Sequence, residues 1–328
     1  MKTKAAYVLT CSESDNYLEQ AWKSIWSLKH HNPTMQVVLV VDEASCTLIK
    51  TTYRKNMLTF VDKMVCVNVP DGFDQRAKSR WLKTSLRALI EGDFLCIDTD
   101  TVVCGSLSEV DDLSCNIGAV IDENSYKPLS EDGEKLRKLQ WFARQCNVDV
   151  DFCKLPYYNS GVLYVRDNDE AHTLYDEWHR QWLNCYKRGV FQDQIPLYCA
   201  ALTSGIHLTE LPSTLNCQIT EYGLNALSEA RIIHYYNESP NYRIGQSSTI
   251  ASIRATPGEL PDSVKDMLLH PRSQFVPDAR VLAGTYLTLV ETDLQRLAIK
   301  HPCLAKWLNR LAKLWLRVEA KVGIKYRK

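Results

Sequence analysis

The chain has 328 residues, of which 45% are hydrophobic, and its 39 basic and 39 acidic side chains cancel. This length and hydrophobic content suffice for one large core with a smaller appendage. The zero net charge excludes a general electrostatic attraction to nucleic acid, so no nucleic-acid partner is expected. No segment reaches the ~18 consecutive apolar residues of a membrane-spanning helix, and the first apolar run is too short for a signal sequence. We therefore expect a cytoplasmic protein.

The twelve cysteines lie singly along the chain and form no CxxC pair. A chain of this length does not need disulfides to supplement its core. We therefore expect reduced and mostly buried thiols.

The first part of the chain alternates apolar runs with amphipathic segments. Strands are predicted at 5–9, 37–41, 64–69 and 94–97, and helices between them at 16–31, 44–56 and 78–90. This alternation predicts an α/β protein with a mostly parallel sheet and helices on its faces. Ligands of such sheets bind beyond the carboxyl ends of the strands. The loops there that carry polar side chains are Thr10 to Asn16, Asp42-Glu43 and Asp98 to Thr101.

The second part adds strands and helices of the same kind. Strands are predicted at 117–121, 161–165, 207–211 and 231–234, and helices at 131–146, 170–186 and 192–201. Five prolines between residues 240 and 277 interrupt the next segment. The predicted organisation is a main domain over 1–240, an irregular or helical covering segment over 241–298, and a C-terminal helix over 299–328.

Two aspartates follow the predicted strand at 94–97. Asp98 and Asp100 are two residues apart at its carboxyl end. Two such carboxylates repel each other unless a positive charge lies between them, and a hard divalent cation that also binds a diphosphate meets this need. An Asx turn that closes the strand is the alternative, because Asp favours turns.

Several motifs occur in order on both sides of this pair. They are Asp15-Asn16-Tyr17, Arg80, Asp98-Thr99-Asp100, Tyr158 to Leu163, Phe191 to Gln194, Leu211-Pro212 with Asn216, and Ile233-His234-Tyr235. With these motifs, residues 5–237 resemble glycosyltransferase family 8, which includes glycogenin and the bacterial lipopolysaccharide glucosyl- and galactosyltransferases. The resemblance implies a GT-A type, Rossmann-like nucleotide-sugar-binding domain with a mixed, mostly parallel sheet.

The resemblance also implies a metal centre and a donor substrate. Asp98, Asp100 and His234 would ligate the metal, and one imidazole with two carboxylates suits Mn²⁺ better than Mg²⁺. The donor would be a UDP-hexose, and the acceptor a glycan or a lipid-linked glycan, as in the synthesis of lipopolysaccharide or another envelope polysaccharide. The family pattern further implies that the anomeric configuration is retained.

The nucleotide half of the implied site consists of residues from three places in the chain. They are Thr10, Asp15, Asn16, Arg80 and Thr99. Asp15 or Asn16 would contact uridine. Arg80 would contact the diphosphate, where a permanently charged guanidinium is useful, although an ordinary surface role on a helix is the alternative.

The sugar half of the implied site contains the catalytic candidates. Asp122, Asn159 and Ser160 would bind the sugar, and Gln194 or Asp193 would face the anomeric carbon. Asp193 precedes a predicted helix, where capping is the alternative role for an aspartate. In Asn159-Ser160-Gly161, the glycine would allow the backbone to approach a sugar closely.

One family motif is absent from this chain. After the histidine, family members usually carry a Gly and then a Lys-Pro-Trp that clasps the diphosphate, whereas residues 237–240 here are Asn-Glu-Ser-Pro. Arg243 is the candidate replacement for the missing lysine. The first loop, Thr10 to Asn16, is also longer than in the family, which leaves open which of its residues contact the base.

The missing Lys-Pro-Trp motif and the acidic pair leave two alternative functions open. A non-catalytic sugar-nucleotide-binding or scaffold protein at the membrane would bind the donor without turnover. A nucleotidyltransferase also combines a Rossmann-like sheet with acidic metal ligands, but its glycine- and lysine-rich first loop is missing, because residues 10–16 contain neither residue.

The C-terminal end differs in charge from the rest of the chain. Residues 300–328 carry nine Lys or Arg and one Glu, whereas residues 1–299 carry 30 basic and 38 acidic side chains. From Leu304 to Val322, leucines, valines and Trp315 recur on one helical face and basic residues on the other. This pattern predicts a basic amphipathic helix that binds an anionic membrane surface, with a surface helix packed on the body as the alternative. A peripheral location on the inner face of the membrane and a lipid-linked acceptor would fit this prediction.

Overall fold

A computed structural model describes residues 1–126, 134–145, 152, 155–220, 222–236 and 242–275, together with single residues between 301 and 315. The chain divides into two compact units, Met1–Gln274 and Phe275–Lys328. The predicted organisation over 1–240, 241–298 and 299–328 stays a prediction.

The described residues form ten strands and nine α-helices. The strands are β1 (Lys4–Leu9), β2 (Val37–Asp42), β3 (Lys63–Val67), β4 (Phe94–Ile97), β5 (Thr101–Val103), β6 (Ile117–Ile121), β7 (Tyr158–Val165), β8 (Thr209–Glu210), β9 (Cys217–Gln218) and β10 (Ile232–His234). The helices are α1 (Tyr17–His31), α2 (Glu43–Thr51), α3 (Gln75–Thr84), α4 (Leu86–Leu89), α5 (Glu134–Gln145), α6 (Asp169–Tyr186), α7 (Gln194–Ser204), α8 (Ser247–Ala255) and α9 (Asp262–Leu269). Short 3₁₀ helices join several of them, including Ser213–Asn216 and Gly223–Glu229.

Seven strands form the central sheet in the order β3-β2-β1-β4-β7-β6-β8. The pairs β2–β3, β1–β2, β1–β4 and β6–β8 are parallel, and β7 runs antiparallel to both β4 and β6. The structure therefore confirms the predicted α/β class with a mixed, mostly parallel sheet.

The sequence of the central strands explains their position. β2, β4 and β6 are buried along their whole length, as expected for strands with helices on both faces of the sheet. Trp178 of α6 is fully buried in the main core with Phe94 of β4 and Leu163 of β7. Packing on both faces fixes the register of β4 and therefore the point at which the Asp98-Thr99-Asp100 turn emerges.

A second, three-stranded sheet in the order β5-β10-β9 lies beyond the end of β4. β10 pairs antiparallel with β5, so that His234 lies opposite Thr101, and pairs parallel with β9. Of this sheet, the sequence predicted the strand at 231–234, which contains β10, but not its partners, because the two- and three-residue strands β9 and β5 have no recognisable periodicity. Its apolar residues Val102, Val103, Ile232 and Ile233 are fully buried.

Three predicted elements differ in detail from the structure. The helix predicted over 78–90 is divided at Ser85 into α3 and α4, and that predicted over 44–56 ends at Thr51 and continues as a 3₁₀ helix over Tyr53–Phe60. The residues 242–275 that follow the body contain α8 and α9, so the covering segment is helical where it is described. Pro257 and Pro261 stand between these two helices, where the missing N–H donor is tolerated.

The expectation of reduced thiols is wrong at one cysteine. Nine described cysteines are free, and most are buried as predicted. Cys185 near the end of α6 is instead disulfide-bonded, and its partner lies outside the described residues. Singly spaced cysteines do not reveal such a bond, because the fold rather than the sequence spacing brings them together.

The second unit is described only at scattered positions. Described residues at 303–304, 307–308, 310–311 and 314–315 have helical backbone. Among them, Leu304, Trp307, Leu311, Leu314 and Trp315 are exposed. None of the described helices is both long enough and apolar enough to cross a membrane.

Candidate metal centre and adjoining cleft

The turn between β4 and β5 holds the two predicted aspartates. The Asp98 amide donates to the Gly161 carbonyl of β7 at 2.8 Å, and the Tyr235 amide donates to the Asp100 carbonyl at 3.0 Å. The Thr101 hydroxyl closes the turn by donating to the Asp98 carbonyl at 2.8 Å. Hydrogen bonds from both sheets therefore fix the backbone on which the carboxylates stand.

The structure brings Asp98, Asp100 and His234 together. Their potential ligand atoms all lie within 4.8 Å of one another, and His234 Nε2 is 3.3 Å from Asp100 Oδ1. His234 is buried and the two aspartates are partly exposed. Two oxygen ligands and one nitrogen ligand thus surround a point that is accessible from one side.

The tautomer of His234 suits a metal ligand. Its Nδ1 lies 3.2 Å from the side-chain oxygen of Asn216, which can only accept, so Nδ1 carries the proton. The Asn216 amide is oriented in turn by donating to Asn159 Oδ1 at 2.9 Å. Nε2 is therefore left to present its lone pair toward the aspartates, an arrangement typical of ligating histidines.

Burial and the acidic pair act in opposite directions on His234. Burial lowers the pKa of the imidazole, but the carboxylates of Asp100 and Asp98 outweigh it and hold the pKa above the ordinary value. The site therefore favours positive charge at this point, whether as a proton or as a cation.

Gly161 of β7 leaves room for the His234 ring. A Cβ at this position would lie 2.8 Å from His234 Nδ1 and 2.8 Å from Asn159 Oδ1, closer than real Cβ contacts allow. We expected the glycine to admit a sugar to the backbone, whereas the group that closely approaches it is the candidate metal ligand.

Lys83 is a site residue that sequence reasoning missed. This α3 side chain is 1% exposed, and its Nζ lies 2.8 Å from Asp98 Oδ1 and 3.2 Å from Asp193 Oδ2. Burial lowers the pKa of Lys83, but the carboxylates of Asp193 and Asp98 raise it by more than burial lowers it. The pKa of Lys83 is therefore above its ordinary value, and the ammonium stays charged. The Arg80-x-x-Lys83 spacing of three residues on one helix was the available signal, since such residues share a face.

Asp193 connects Lys83 with the predicted Arg80. Arg80 Nε lies 3.1 Å from Asp193 Oδ1, and the Ser160 hydroxyl donates to Asp193 Oδ2 at 2.9 Å. The carboxylate does not cap α7, so the capping alternative is not realised. Burial raises the pKa of Asp193, but Arg80, Lys83 and the Ser160 hydrogen bond outweigh burial and hold it well below the usual range.

A second group of polar side chains is connected to His234 through Asn216 and Asn159. Asn159 Nδ2 donates to Asp122 Oδ1 at 2.9 Å, and Gln194 Nε2 donates to the same oxygen at 3.2 Å and to the Tyr158 carbonyl at 3.1 Å. Asp122 thus connects the predicted sugar-binding Asn159 with the predicted catalytic Gln194.

A cleft with an empty volume of about 1270 Å³ opens beside the acidic pair. The predicted residues that line it are Thr10, Arg80, Asp98, Thr99, Asp100, Asp193 and Gln194. Other lining residues were not predicted, among them Tyr17, Gln20, Gln75, Arg76, Ser79 and Lys83. Tyr17 belongs to the Asp15-Asn16-Tyr17 motif, and its aromatic side chain is exposed.

The Asp15 carboxylate stabilises the conformation of the first loop through hydrogen bonds. Its carboxylate accepts from the Ser12 amide at 2.6 Å, the Tyr17 amide at 3.0 Å and Gln75 Nε2 at 2.5 Å. Neither Asp15 nor Asn16 is among the cleft-lining residues. The loop therefore presents Thr10 and Tyr17 to the cleft, while Asp15 holds its conformation.

Arg254 of α8 anchors the same loop from outside. Its guanidinium donates to the Asp15 carbonyl, to Asn16 Oδ1 at 3.1 Å and to Glu19 Oε1 at 3.1 Å. Glu19 is 1% exposed and also pairs with Arg54 at 3.1 Å. A buried carboxylate with two guanidinium partners makes this a firm anchor point.

Arg243, the candidate replacement for the missing clasp lysine, does not line the cleft. Its amide donates to the Gln274 carbonyl at 2.9 Å, and its carbonyl accepts from the Thr249 hydroxyl at 2.6 Å. These are backbone contacts, so a role of the Arg243 side chain toward the diphosphate stays a prediction.

Gly161→Ala should weaken Mn²⁺ binding by about 10- to 100-fold, the usual cost of disturbing the support of a ligating histidine, because the new methyl group displaces the His234 ring. Titration calorimetry with MnCl₂ measures the effect. Gly118→Ala is the matched control, since its Cβ would lie 2.6 Å from the Leu211 side chain, away from the aspartates. Equal Mn²⁺ affinity in both variants would contradict the assignment of His234.

Arg254→Met should increase amide hydrogen exchange of residues 10–17 by about tenfold or more, because hydrogen bonds from a charged donor contribute about 1.5–3 kcal/mol. Exchange monitored by mass spectrometry measures this directly. Arg272→Met is the control, because Arg272 donates to the carbonyls of Leu227 and Ala230 instead. A loop that is unchanged in Arg254→Met, or loosened equally in Arg272→Met, would show that Arg254 does not anchor it.

Comparisons with known proteins find similarity among solved structures. No protein-family model matches the chain, and no curated protein matches it. Among solved structures, the chain is similar to mouse xyloside xylosyltransferase 1 in its apo form, with a TM-score of 0.47 and 15% sequence identity. The similarity covers 72% of this chain and 98% of the mouse chain.

Proposed function

We propose that the chain is a metal-dependent glycosyltransferase that moves a hexose from a UDP-sugar to a glycan or glycolipid acceptor. The observation that carries this proposal is the convergence of Asp98, Asp100 and His234 at the edge of a large polar cleft. Position at the carboxyl end of a mostly parallel sheet supports it further, because nucleotides bind at this edge in open α/β sheets.

The ligand set fits a divalent cation. Two carboxylates and one imidazole nitrogen suit Mn²⁺, with Mg²⁺ as the weaker substitute. Lys83 pairs with Asp98 and Asp193, and Arg80 pairs with Asp193. A divalent cation bound by Asp98 and Asp100 would add positive charge and make the site attractive to a diphosphate.

The cleft supplies groups for the nucleotide. Tyr17 offers an aromatic surface for the uracil ring, and Gln20 and Gln75 offer amides for its polar edge. Arg76 and Arg80 add positive charge for the phosphates, where a guanidinium forms strong, directional hydrogen bonds. We place uridine at the β1 end of the cleft and the diphosphate beside Asp98 and Asp100.

The transfer itself would use two groups of side chains near the acidic pair. The first consists of Arg80, Lys83 and Asp193, and the second of Asp122, Asn159 and Gln194. When bound, the cation supplies Lewis-acid stabilisation of the leaving diphosphate. Lys83 and Arg80 hold Asp193 ionised beside the anomeric carbon, where a fixed negative charge stabilises developing positive charge. Asp122, Asn159 and Gln194 would orient the sugar hydroxyls.

We further propose retention of the anomeric configuration. The bond from the anomeric carbon to the phosphate oxygen breaks with its electron pair on UDP. The acceptor hydroxyl attacks from the same side, and its proton passes to the departing phosphate. An acceptor in lipopolysaccharide or another envelope polysaccharide would fit a membrane-bound tail.

Asp98→Asn and Asp100→Asn should each lower Mn²⁺-dependent UDP release from UDP-glucose, UDP-galactose or their N-acetyl forms by more than about 10²- to 10³-fold. A metal ligand contributes more than one oxyanion hydrogen bond, which is worth about 3–4 kcal/mol. Asp62→Asn is the matched control, since Asp62 also pairs with a lysine, Lys29, at 2.7 Å.

Two outcomes would contradict parts of this proposal. Near-normal turnover in either variant would exclude the aspartates as metal ligands. Tight binding of UDP-sugar by the unaltered chain, without hydrolysis or transfer of any of these donors, would favour the scaffold alternative.

We also propose that the C-terminal tail binds anionic membrane surfaces. The described apolar residues Leu304, Trp307, Leu311 and Trp315 are exposed, and the intervening sequence is basic. Exposed apolar groups beside basic ones are typical of interfacial helices.

Replacing Lys306, Arg310, Lys313, Arg317 and Lys321 by Gln in the full chain should abolish co-sedimentation with phosphatidylserine vesicles. Each basic residue near such a surface contributes about 1 kcal/mol. Phosphatidylcholine vesicles serve as the control. Vesicle binding that survives the five substitutions would place the anchor elsewhere.

A cytoplasmic location stays a prediction, and the Cys185 disulfide counts against it, because disulfides are rare in reducing compartments.

A further inference from the structure

Tyr236 stands beside the candidate metal ligand. Alternation along an extended segment places His234 and Tyr236 on one side and Tyr235 on the other. The Tyr236 ring lies against the His234 ring, with centroids 4.3 Å apart and planes inclined by 30°. Tyr235 is 1% exposed, whereas Tyr236 is 37% exposed. One surface of the Tyr236 ring is therefore covered by the imidazole, while a third of the residue is accessible.

The Tyr236 hydroxyl is fixed in place. It donates to Gln218 Oε1 at 2.5 Å and accepts from Asn159 Nδ2 at 3.2 Å. Gln218 is fully buried and is held by its own donation to the Ile121 carbonyl at 2.9 Å. These contacts immobilise the ring before any ligand arrives.

The backbone at Tyr236 is unusual for its residue type. Its φ is 52°, and the other non-glycine residues with positive φ in the described chain are Glu123 (58°) and Asn124 (55°). All three meet at Gln218, because the Glu123 amide donates to Gln218 Oε1 at 2.7 Å and the Gln218 amide donates to Asn124 Oδ1 at 2.9 Å. Left-handed backbone at an aromatic residue persists only where surrounding contacts enforce it, and it is concentrated at ligand-binding sites.

Tyr236 does not line the cleft beside the acidic pair. The cleft is lined by residues of the first loop, α3, the acidic turn and residues 191–194, and Tyr236 is not among them. Between them lies the group formed by Gln194, Asp122 and Asn159, and the last of these contacts the Tyr236 hydroxyl. A group bound on Tyr236 would thus lie next to the side chains proposed to orient the transferred sugar.

We propose that Tyr236 forms a stacking platform for a pyranose ring of the acceptor. The C–H groups on one face of a pyranose carry partial positive charge and pair with the negative face of an aromatic ring. Asn159 hydrogen-bonds the Tyr236 hydroxyl, and Asp122 and Glu123 are close enough to act electrostatically on it, so polar partners for the hydroxyls of a sugar are nearby. This inference rests on the proposed function and adds a carbohydrate subsite to it.

The test is saturation-transfer NMR with methyl β-D-glucopyranoside, methyl β-D-galactopyranoside and methyl α-D-mannopyranoside, recorded with UDP and Mn²⁺ present. Tyr236→Asn removes the ring while keeping a residue that tolerates left-handed backbone. We expect saturation transfer to at least one glycoside in the unaltered chain, a loss of at least fivefold in Tyr236→Asn, and retention in Tyr236→Phe, which keeps the ring.

Tyr126→Ala is the matched control, because Tyr126 is 56% exposed and its hydroxyl bonds Glu210 of β8 instead. Unchanged saturation transfer in Tyr236→Asn, an equal loss in Tyr126→Ala, or no transfer to any of the three glycosides would overturn the proposal. Calorimetric UDP binding, measured on the same samples, reports separately on the nucleotide site, so failure of the proposed function is distinguishable from failure of the platform.

Discussion

The candidate site depends on the antiparallel pairing of β5 with β10. This pairing sets His234 opposite Thr101 and connects Tyr235 to the Asp100 carbonyl. β4 delivers the aspartates to the edge of the central sheet, but their third partner comes from a segment far later in the chain. The buried valines and isoleucines of the small sheet supply the hydrophobic stabilisation that holds this pairing in place.

Charge balance is the second constraint. Asp193 and Lys83 are buried, and buried charges persist only when they are paired and hydrogen-bonded. Lys83 contacts both Asp98 and Asp193, while Arg80 and Ser160 complete the environment of Asp193. Because these charged groups share partners, removal of one leaves the charge of another uncompensated. The acidic turn and the start of α7 are therefore one electrostatic unit.

The sequence revealed the parts of the fold that have a local signal. Long apolar runs predicted β2, β4 and β6, and the resemblance carried by the ordered motifs predicted that Asp98, Asp100 and His234 share one site. Lys83 was missed because a lysine in an amphipathic helix usually faces solvent, and its burial follows from the packing of α3 near Asp193. Gly161 was assigned to a sugar contact because the sequence does not show that the His234 ring packs against β7 at that glycine.

Other features were beyond sequence reasoning because they join distant segments. Arg254 of α8 hydrogen-bonds the first loop. Gln218 hydrogen-bonds all three residues with left-handed backbone, Glu123, Asn124 and Tyr236. The strands β5 and β9, which pair with the predicted strand β10, were equally unpredictable, since pairing rather than periodicity defines them. These long-range contacts decide how the metal centre, the nucleotide loop and the Tyr236 platform are arranged.

The central claim is that one site binds a divalent cation and a nucleoside diphosphate together. Titration calorimetry of UDP into the full chain, with and without Mn²⁺, tests it most directly. Because coupling is reciprocal, Mn²⁺ should strengthen UDP binding and UDP should strengthen Mn²⁺ binding by the same factor. Equal UDP affinity in the presence and absence of Mn²⁺, or no UDP binding in either case, would contradict the account.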